Sequence, residues 1–420
     1  MSFDLLYSKS GMYTHKGDSK MINIAIMGFG VVGSGVAETI RLNNEAFAKR
    51  MEGVTLNVKY ILDLREFPDH PLGDRVVHEI TPILEDRDVT IVVETMGGTV
   101  PAYDFSKKAI LAGKSVVTSN KEVVAKHGAE LQRLARENGV SYLFEASVGG
   151  GIPIIRPMWQ CLASNQVESV TGILNGTCNY ILTKMERDKE DFSTALKQAQ
   201  ELGYAEKNPA ADVEGHDTCR KISILASLAY GKTVSNEDVL CEGITEIMYE
   251  DLLYARNNGY SVKLLGRAKK DAHDGKVYVL TAPHLVPETN ALAGVNDVYN
   301  GISVVGNVVG DVLFCGRGAG SMPTASAVMA DVLDVVRDCK KFIGWDEEKA
   351  DFLGDVNKNV TASYIRTKAS KQAVISAFGN VAVTEMAGYC MFMTEEMSDM
   401  DLAVKIKSLG EETVRIRIMK

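Results

Sequence analysis

The chain has 420 residues, of which 45% are hydrophobic, and it carries a formal net charge of −9. This length exceeds what one hydrophobic core supports and predicts two or three domains. Acidic residues outnumber basic ones, and the sequence has no run of basic residues. This pattern argues against nucleic acid or an anionic membrane as a partner and favours a small molecule.

Cysteine usage and targeting signals bear on the compartment. The seven cysteines fall singly, without CxxC spacing, as is typical of reduced thiols in a cytoplasm. No apolar run is long enough to span a membrane, and the N-terminus lacks a signal-peptide pattern. We therefore expect a cytoplasmic protein with no membrane partner, in which residues 1–20 are an extension outside the fold.

The first predicted domain, residues 21–150, opens with a dinucleotide-binding pattern. Its sequence, MINIAIMGFGVVGSGVAETI, is an apolar strand, a GxGxxG turn and a helical pattern. The first glycine permits the turn, the second lets the backbone approach a pyrophosphate, and the third lets helix and strand pack closely. The alternative is a purely structural turn. The cofactor residues predicted here are Gly28, Phe29, Gly30, Val31, Val32 and Gly33.

The second predicted strand, LNVKYIL, ends at Asp63. An acidic residue at this point commonly binds the ribose hydroxyls and favours NAD over NADP. Arg65, two positions further on, would instead suit a 2′-phosphate. The sequence leaves the choice between NADP and NAD open.

Three more strands follow, in VTIVVETMGG, KSVVTSNKEVV and VSYLFEASVGGG, with helices at about 103–112 and 129–138 between them. This alternation predicts an α/β fold with a parallel, doubly wound Rossmann sheet, whose ligands bind beyond the carboxyl ends of the strands. In the alternative, Asn120 is only a helix cap and Lys121 is solvated. The residues predicted at the cofactor site are Thr95, Gly97, Ser119, Asn120 and Lys121.

The stretch DVEGHDTCRKISILASLAYG, residues 212–231, places charged side chains beside an apolar helix. Asp217 and Lys221 are four residues apart and therefore share one helix face. In the simpler interpretation Asp217 stabilises the helix start and Lys221 extends to water. In the other, the two form a catalytic pair.

The remaining motifs are LNGTCNYIL, ELGYAEKNPAADVEGHDTCRKISILA and CGRGAGSMPTASAVMADVLDV. Together with the nucleotide pattern they make residues 21–345 resemble homoserine dehydrogenase, of threonine, methionine and isoleucine biosynthesis. The resemblance implies an NAD(P)-dependent oxidoreductase that transfers a hydride reversibly between L-homoserine and L-aspartate 4-semialdehyde.

The resemblance also implies roles for the charged residues. Reduction of an aldehyde builds negative charge on its oxygen, which an ammonium group can stabilise and protonate. Lys221 matches the family's lysine for this step, Asp217 matches the aspartate that orients it, and Lys121 is the second candidate. His216 adjoins Asp217 but points away from it on a helix, so we do not expect a general base there. The substrate-binding residues implied are Glu206, Asp212, Thr177 and Gly176.

A monovalent cation, Na⁺ or K⁺, is implied for the segment FEASVGGGIP. Hard oxygen ligands from a glycine-rich turn suit such an ion, although the glycines could equally form only a hinge. We expect no catalytic metal, because histidines and cysteines show no zinc-like spacing. The ligands implied are the Glu145 side chain and the carbonyls of Val148, Gly150 and Ile152.

The rest of the chain is expected to form two further domains. Residues 151–315 are predicted to bind the substrate in an α+β domain that also forms a homodimer or homotetramer, while 316–345 return to the nucleotide domain. Gly318 then lies beside the nicotinamide or only shapes a turn. Residues 358–420 have the order βαββαβ of a small ACT-like domain, although the tail is short and lacks the expected DxPG entry.

Two other functions are left open by the sequence. A phosphorylating semialdehyde dehydrogenase would need a nucleophilic cysteine, and Cys178 is the only plausible candidate. A non-catalytic sensor would bind the cofactor and read an amino acid through its tail. A sensor needs no proton donor, so this alternative is disfavoured by the joint presence of Asp217, Lys221, Glu206 and Lys121.

Overall fold

The nucleotide-binding part is a six-stranded parallel sheet with the strand order β3-β2-β1-β4-β5-β6. A computed structural model describes residues 20–337, 343–410 and 412–420. Residues 1–19 of the predicted N-terminal extension lie outside this range. The strands are β1 (Met21–Met27), β2 (Thr55–Leu62), β3 (Val76–Val77), β4 (Val89–Glu94), β5 (Ser115–Thr118) and β6 (Tyr142–Leu143). The helices are α1 (Val31–Arg50), α2 (Thr81–Glu85), α3 (Ala102–Leu111) and α4 (Lys121–Glu137).

This sheet confirms the prediction of a doubly wound parallel fold, but two elements differ from the predicted ones. Helix α4 begins at Lys121 rather than near residue 129, because the Asn120 side chain caps it by accepting hydrogen bonds from the N–H groups of Glu122 and Val123 at 3.1 and 3.2 Å. Strand β6 has only two residues, and a 3₁₀ turn at Glu145–Ser147 follows it.

The substrate-side part is built on a second, mainly antiparallel sheet. Its path runs β13-β12-β7-β10-β11 and continues into the tail. The strands of this part are β7 (Val167–Ile173), β8 (Lys232–Thr233), β9 (Leu240–Cys241), β10 (Tyr260–Lys270), β11 (Val277–Pro287), β12 (Tyr299–Gly306), β13 (Gly310–Arg317) and β14 (Asp346–Lys349). The helices are α5 (Gly176–Asp188), α6 (Phe192–Glu201), α7 (Ala210–Val213), α8 (His216–Tyr230), α9 (Tyr249–Asn257) and α10 (Ser321–Val336).

Helix α10 returns the chain to the nucleotide-binding part, as the resemblance implied. The Ser321 hydroxyl donates a hydrogen bond to the Val31 carbonyl at 2.6 Å, where α1 begins. A Cβ atom on Gly35 would lie 2.5 Å from the Ser321 Oγ, so the glycine permits α1 and α10 to pack this closely. Buried residues of α10 join the same apolar core as the six-stranded sheet.

The tail contains the predicted order βαββαβ together with two additional two-residue strands, and four of its strands form a sheet in the order β20-β16-β18-β17. Its strands are β15 (Val360–Thr361), β16 (Ser363–Thr367), β17 (Thr384–Met386), β18 (Tyr389–Met393), β19 (Met397–Ser398) and β20 (Thr413–Ile418), and its helices are α11 (Lys371–Phe378) and α12 (Asp399–Leu409). Strand β20 pairs in parallel with β11, so the tail extends the substrate-side sheet.

Buried polar contacts fix the tail to this sheet. The carboxylate of Asp251, on α9, is fully buried and accepts hydrogen bonds from the Tyr364 hydroxyl at 2.6 Å and the Arg366 Nε at 2.8 Å. Arg417, on β20, is 1% exposed and pairs with Glu242 and Asp399. No helix in the described ranges is long and apolar enough to cross a membrane.

Candidate functional site

Asp217 is the centre of a charge cluster where the two parts of the chain meet. It lies in the first turn of α8, after Gly215, whose φ of 87° turns the chain into the helix. Its Oδ2 lies 2.8 Å from the Lys221 Nζ on the same helix, and its Oδ1 lies 2.6 Å from the Lys121 Nζ at the start of α4. Asp217 is 3% exposed. One buried carboxylate therefore joins a lysine from each side.

Lys221 is held in place by acceptors on both sides of its ammonium group. Besides the pair with Asp217, it donates a hydrogen bond to the Leu174 carbonyl at 2.8 Å. Its side chain is 11% exposed. An ammonium group has three N–H donors, so two fixed acceptors leave one donor for a ligand.

Asn175 connects this cluster to a second carboxylate. Its Oδ1 accepts a hydrogen bond from the Cys178 N–H at 2.8 Å and so caps α5. Its Nδ2 donates to Asp212 at 2.7 Å and to Asp217 at 2.8 Å. The amide thus separates two like charges. We did not predict this role from the sequence, where the Asn before Gly-Thr indicated only a turn.

The electrostatics of the cluster differ between its members. Burial alone would raise the pKa of Asp217, but the Lys221 and Lys121 ammonium groups outweigh it and hold that pKa below its ordinary value. Burial would lower the pKa of Lys121, but Asp217 reverses the shift and raises it. Burial, aided by the Lys121 charge, lowers the pKa of Lys221 despite Asp217. Lys221 is therefore the lysine that loses its proton more easily.

The glycine-rich turn at the start of α1 has the open side that a bound phosphate needs. Gly28 has a φ of 90°, and a Cβ atom on Gly33 would lie 2.0 Å from the Gly28 carbonyl oxygen. A Cβ atom on Gly30, by contrast, would meet nothing within 4 Å, and Val31 is 70% exposed. The N-terminus of α1 therefore offers free space and its positive dipole end to an anion, which fits a dinucleotide.

Asp63 and Arg65, the alternative ribose and phosphate residues, form a pair with each other. The Arg65 Nε and Nη2 both donate to the Asp63 carboxylate at 2.9 Å. The Phe29 N–H also donates to it, at 2.7 Å. The Asp63 side chain is 9% exposed and that of Arg65 is 62% exposed. The hydrogen bonds from Arg65 and the Phe29 N–H outweigh burial and lower the pKa of Asp63.

The other predicted cofactor residues line the carboxyl ends of β4 and β5. The Thr95 hydroxyl donates to the Gly28 carbonyl at 2.7 Å and so ties β4 to the glycine-rich turn. Asn120 Nδ2 donates to the Gly98 carbonyl at 2.8 Å. Gly97 is exposed, and Ser119 is half-buried beside it in this edge of the sheet.

Comparison with known proteins assigns both parts of the chain to one family. The family described as homoserine dehydrogenase, NAD binding domain matches residues 28–145, and the family described as homoserine dehydrogenase matches residues 153–333. A homoserine dehydrogenase of Synechocystis sp. is 43% identical over 319 residues, which are 75% of this chain and 73% of that protein. The chain belongs to the homoserine dehydrogenase family.

Solved structures of homoserine dehydrogenases share the fold. The enzyme of Thiobacillus denitrificans has a TM-score of 0.86 and 33% identity, covering 96% of this chain and 99% of that one. A hyperthermophilic archaeal homoserine dehydrogenase in complex with NADPH has a TM-score of 0.64 and 27% identity, covering 76% of this chain and 98% of that one. The chain is thus an oxidoreductase with an NAD(P)-binding domain that acts on L-homoserine and L-aspartate 4-semialdehyde.

The predicted substrate residues of this dehydrogenase do not all lie in one place. The Thr177 hydroxyl donates to the Tyr204 carbonyl at 2.7 Å, which ties the NGT turn to the GYAE segment. Gly176 begins α5, and a Cβ atom there would lie 2.8 Å from the Val298 carbonyl oxygen. Glu206 is exposed, and its side chain forms no hydrogen bond or ion pair with any residue that the structure describes. Only Asp212 is joined to the charge cluster, through Asn175.

The two residues considered for other chemistry, His216 and Cys178, form contacts that do not support it. The His216 Nε2 is 3.1 Å from a Glu214 carboxylate oxygen at the surface. The Cys178 thiol is fully buried, donates to the Asp212 carbonyl at 3.1 Å, and has a pKa raised well above its ordinary value by burial. A buried, protonated thiol is a poor nucleophile, so a phosphorylating dehydrogenase has no support here.

The segment implied to bind a cation forms a tight turn beside α10. The Glu145 carboxylate is 2% exposed and accepts hydrogen bonds from three successive N–H groups, those of 154, 155 and 156, at 2.6, 2.9 and 2.7 Å. The carbonyls of Val148, Gly150 and Ile152 accept no hydrogen bond within the part of the chain that the structure describes. Carbonyl oxygens without a protein donor are the ligand type that a hard cation prefers, whereas both oxygens of the Glu145 carboxylate already accept backbone N–H groups.

Gly318 occupies a position where packing demands glycine. A Cβ atom there would lie 2.1 Å from the Asn300 side chain, and one on Gly150 would lie 2.3 Å from the Gly318 carbonyl oxygen. The structural interpretation of this turn is therefore sufficient to explain the residue.

Proposed function

We propose that Lys221 exchanges the proton with the reacting oxygen of the substrate. When bound, the nicotinamide supplies or accepts the hydride. During reduction of the aldehyde, the remaining N–H of Lys221 stabilises the alkoxide and then protonates it. During oxidation of the alcohol, the neutral amine takes the proton. The pKa of Lys221, lowered mainly by burial, supports this role because a proton donor works best when its pKa approaches the working pH.

Lys121 is proposed to contribute charge rather than a proton. Its pKa is raised, so it stays protonated while Lys221 changes state. Its side chain is 37% exposed, which leaves it open to the substrate or the cofactor. Asp217 orients both lysines and offsets their mutual repulsion. The single observation that carries the proposal is this carboxylate, which bridges one lysine from each side of the cleft.

The other end of homoserine carries an α-ammonium and a carboxylate. We propose that Asp212 accepts the ammonium, because only one of its oxygens is occupied by Asn175. Burial raises the pKa of Asp212, and an incoming cation would reverse that shift. Thr177 and Gly176 would then contact the ligand at the half-buried start of α5. Glu206 would close the site only on binding.

The cofactor is proposed to bind along the open turn, with Gly30 and Val31 at the pyrophosphate and Gly97 and Ser119 nearer the nicotinamide. The Arg65 guanidinium neutralises Asp63, so the carboxylate no longer excludes a 2′-phosphate. We therefore propose that the enzyme uses both NADP and NAD, with Arg65 contacting the additional phosphate.

Three further expectations continue as proposals. Na⁺ or K⁺ would be held by Glu145 and the carbonyls of Val148, Gly150 and Ile152, where it would balance the buried carboxylate. The domain divisions, the homodimer or homotetramer formed by the substrate domain, and the cytoplasmic location stay predictions. An ACT-like role for the tail, including binding of a regulatory amino acid, is a proposal supported by its strand order.

The test is homoserine-dependent reduction of NAD and, separately, of NADP, followed by absorbance of the reduced nicotinamide. We expect turnover with both, and turnover lowered about 10²- to 10⁴-fold in the Lys221→Ala variant. Folded, cofactor-bound protein without turnover on either cofactor would contradict the proposal. Addition of threonine would show whether the tail regulates the activity.

A further inference from the structure

Glu94, the last residue of β4, is a fully buried carboxylate that the proposed mechanism does not use. It accepts hydrogen bonds from the Thr118 hydroxyl at 2.5 Å and from the Met96 N–H at 2.7 Å. Burial raises the pKa of Glu94 to about 7, although the hydrogen bonds from Thr118 and the Met96 N–H act to lower it. The Glu94 charge also helps to raise the pKa of Tyr142, a fully buried phenol on β6 whose pKa is raised mainly by burial.

The contacts continue from Glu94 to the start of α4. The Thr118 hydroxyl, which donates to Glu94, accepts a hydrogen bond from the Asn120 N–H at 2.9 Å. Asn120 caps α4 and donates from its Nδ2 to the Met96 and Gly98 carbonyls at 3.3 and 2.8 Å. The ends of β4 and β5 and the first turn of α4 therefore share one buried hydrogen-bond network.

Lys121, which pairs with Asp217, is the residue directly after Asn120. The Asn120 cap fixes the backbone of Lys121. Asn120 is in turn fixed by its hydrogen bond to the Thr118 hydroxyl, which is bound to Glu94. Because Glu94 is held only by neutral donors, its charge is not needed to balance a cation within the described structure. A neutral residue could fill the same space without the free-energy cost of burying a carboxylate. A positioning role would explain why the chain has a carboxylate here.

We propose that Glu94 is a positioning residue that holds Lys121 against Asp217 through Thr118 and Asn120. The proposal rests on the proposed role of Lys121 in the dehydrogenase reaction. The Glu94 carboxylate accepts the Thr118 O–H and so fixes the orientation of that hydroxyl. The lone pairs of the hydroxyl oxygen then point toward the Asn120 N–H. Loss of that acceptor lets the turn at 118–121 move, and a displacement near 1 Å costs about 100-fold in rate.

The first test compares Thr118→Val with Thr118→Ser in the full-length enzyme. The valine keeps the shape and removes the hydroxyl, whereas the serine keeps the hydroxyl. We expect Thr118→Val and Glu94→Gln to lower kcat for homoserine oxidation about tenfold to 100-fold, with KM for homoserine changed less. Thr118→Ser should stay within about threefold of wild type. Equal losses in the serine and valine variants would overturn the proposal.

A double-mutant cycle shows whether Glu94 acts through Lys121. We expect Glu94→Gln to cost at most about twofold in kcat once Lys121→Ala is present. A full, multiplicative loss in that background would overturn the proposal while leaving the role of Lys121 intact. Wild-type turnover in Lys121→Ala alone would instead remove the proposed role of Lys121, and this inference with it. If Glu94→Gln does not fold, the same cycle is run with Thr118→Val.

Discussion

Lys121 and Asp217 lie at the starts of two helices from the two parts of the chain, and their charged atoms are 2.6 Å apart. This contact joins the nucleotide-binding part and the substrate-side part at the proposed site of the reaction. Helix N-termini carry partial positive charge, so the starts of α4, α5 and α8 all favour an anion here. The partial positive charges at these helix starts would stabilise an alkoxide formed from the substrate.

Replacement of Lys221 tests the proton transfer. We expect Lys221→Ala to lower kcat about 10²- to 10⁴-fold, the usual contribution of a general acid or base. Lys221→Arg should also be impaired, because a guanidinium does not release its proton. Cofactor binding, followed by nicotinamide fluorescence, should change little. Lys197→Ala, an exposed lysine on α6, is the control; near-normal turnover of Lys221→Ala would contradict the mechanism.

Asn175 gives a prediction that separates a helix cap from a site residue. Asn175→Ala and Asp191→Ala each remove a side-chain cap, of α5 and α6 respectively. Both should lose about 1 kcal/mol of unfolding free energy in urea. Only Asn175→Ala should also lower kcat/KM, by about tenfold or more, because Asp212 and Asp217 then repel each other directly. Equal turnover in the two variants would refute the role in the site.

Cofactor preference depends on Arg65. We expect Arg65→Ala to lower kcat/KM for NADP about tenfold to 100-fold, because a charge-assisted hydrogen bond of roughly 1.5–3 kcal/mol is lost. The effect with NAD should be much smaller, since Asp63 can then accept the ribose hydroxyls. Arg41→Ala, an exposed arginine on α1, controls for a general loss of positive charge. An equal loss with both cofactors would count against a phosphate contact.

The buried carboxyl of Glu94 predicts how stability depends on pH. Its pKa is raised in the folded state to about 7, so the folded state binds the proton more tightly than the unfolded chain does. Its contribution to stability is therefore complete below about pH 4 and is lost as the pH rises through 7. The loss is on the order of 3 kcal/mol. Glu94→Gln should remove this component of the pH dependence in denaturant titrations from pH 4 to 8; parallel curves for the two proteins would argue against it.

The contact between α9 and the tail predicts a large effect on stability. Asp251→Asn leaves the buried Arg366 without its carboxylate, and breaking such a pair costs about 3–5 kcal/mol. Lys368→Ala, which breaks an exposed pair with Glu412, should cost less than about 1 kcal/mol. Urea unfolding measures both. Similar midpoints for the two variants would show that the tail is not held by Asp251.

Local patterns explain what could be predicted from the sequence. The GxGxxG turn lies between a strand and a helix as expected, and Asp217 and Lys221 meet because residues four apart share a helix face. Asn120 caps α4, and its predicted place at the cofactor site stays a prediction. These predictions needed only neighbours in the chain.

Contacts between distant segments explain what could not be predicted. Asn175 reaches Asp217 across 42 positions, and Thr118 reaches Glu94 across 24. Neither spacing has a periodic signature. The exposure of Glu206 follows from the course of the GYAE loop, which no local pattern specifies. The family resemblance implied a role for Glu206, but it did not indicate that the Asn175 amide separates the carboxylates of Asp212 and Asp217.

The pairing of β20 with β11 has a consequence for synthesis and folding. Strand β11 leaves the ribosome long before residues 413–418 exist, so part of its edge waits unpaired while the rest of the chain is made. Pairing between strands so far apart in sequence is slow, and an open strand edge invites association with other chains. Expression at lower temperature or with a chaperone that covers exposed strands should therefore raise the yield of native protein. A shortened chain without β20 should accumulate in inclusion bodies.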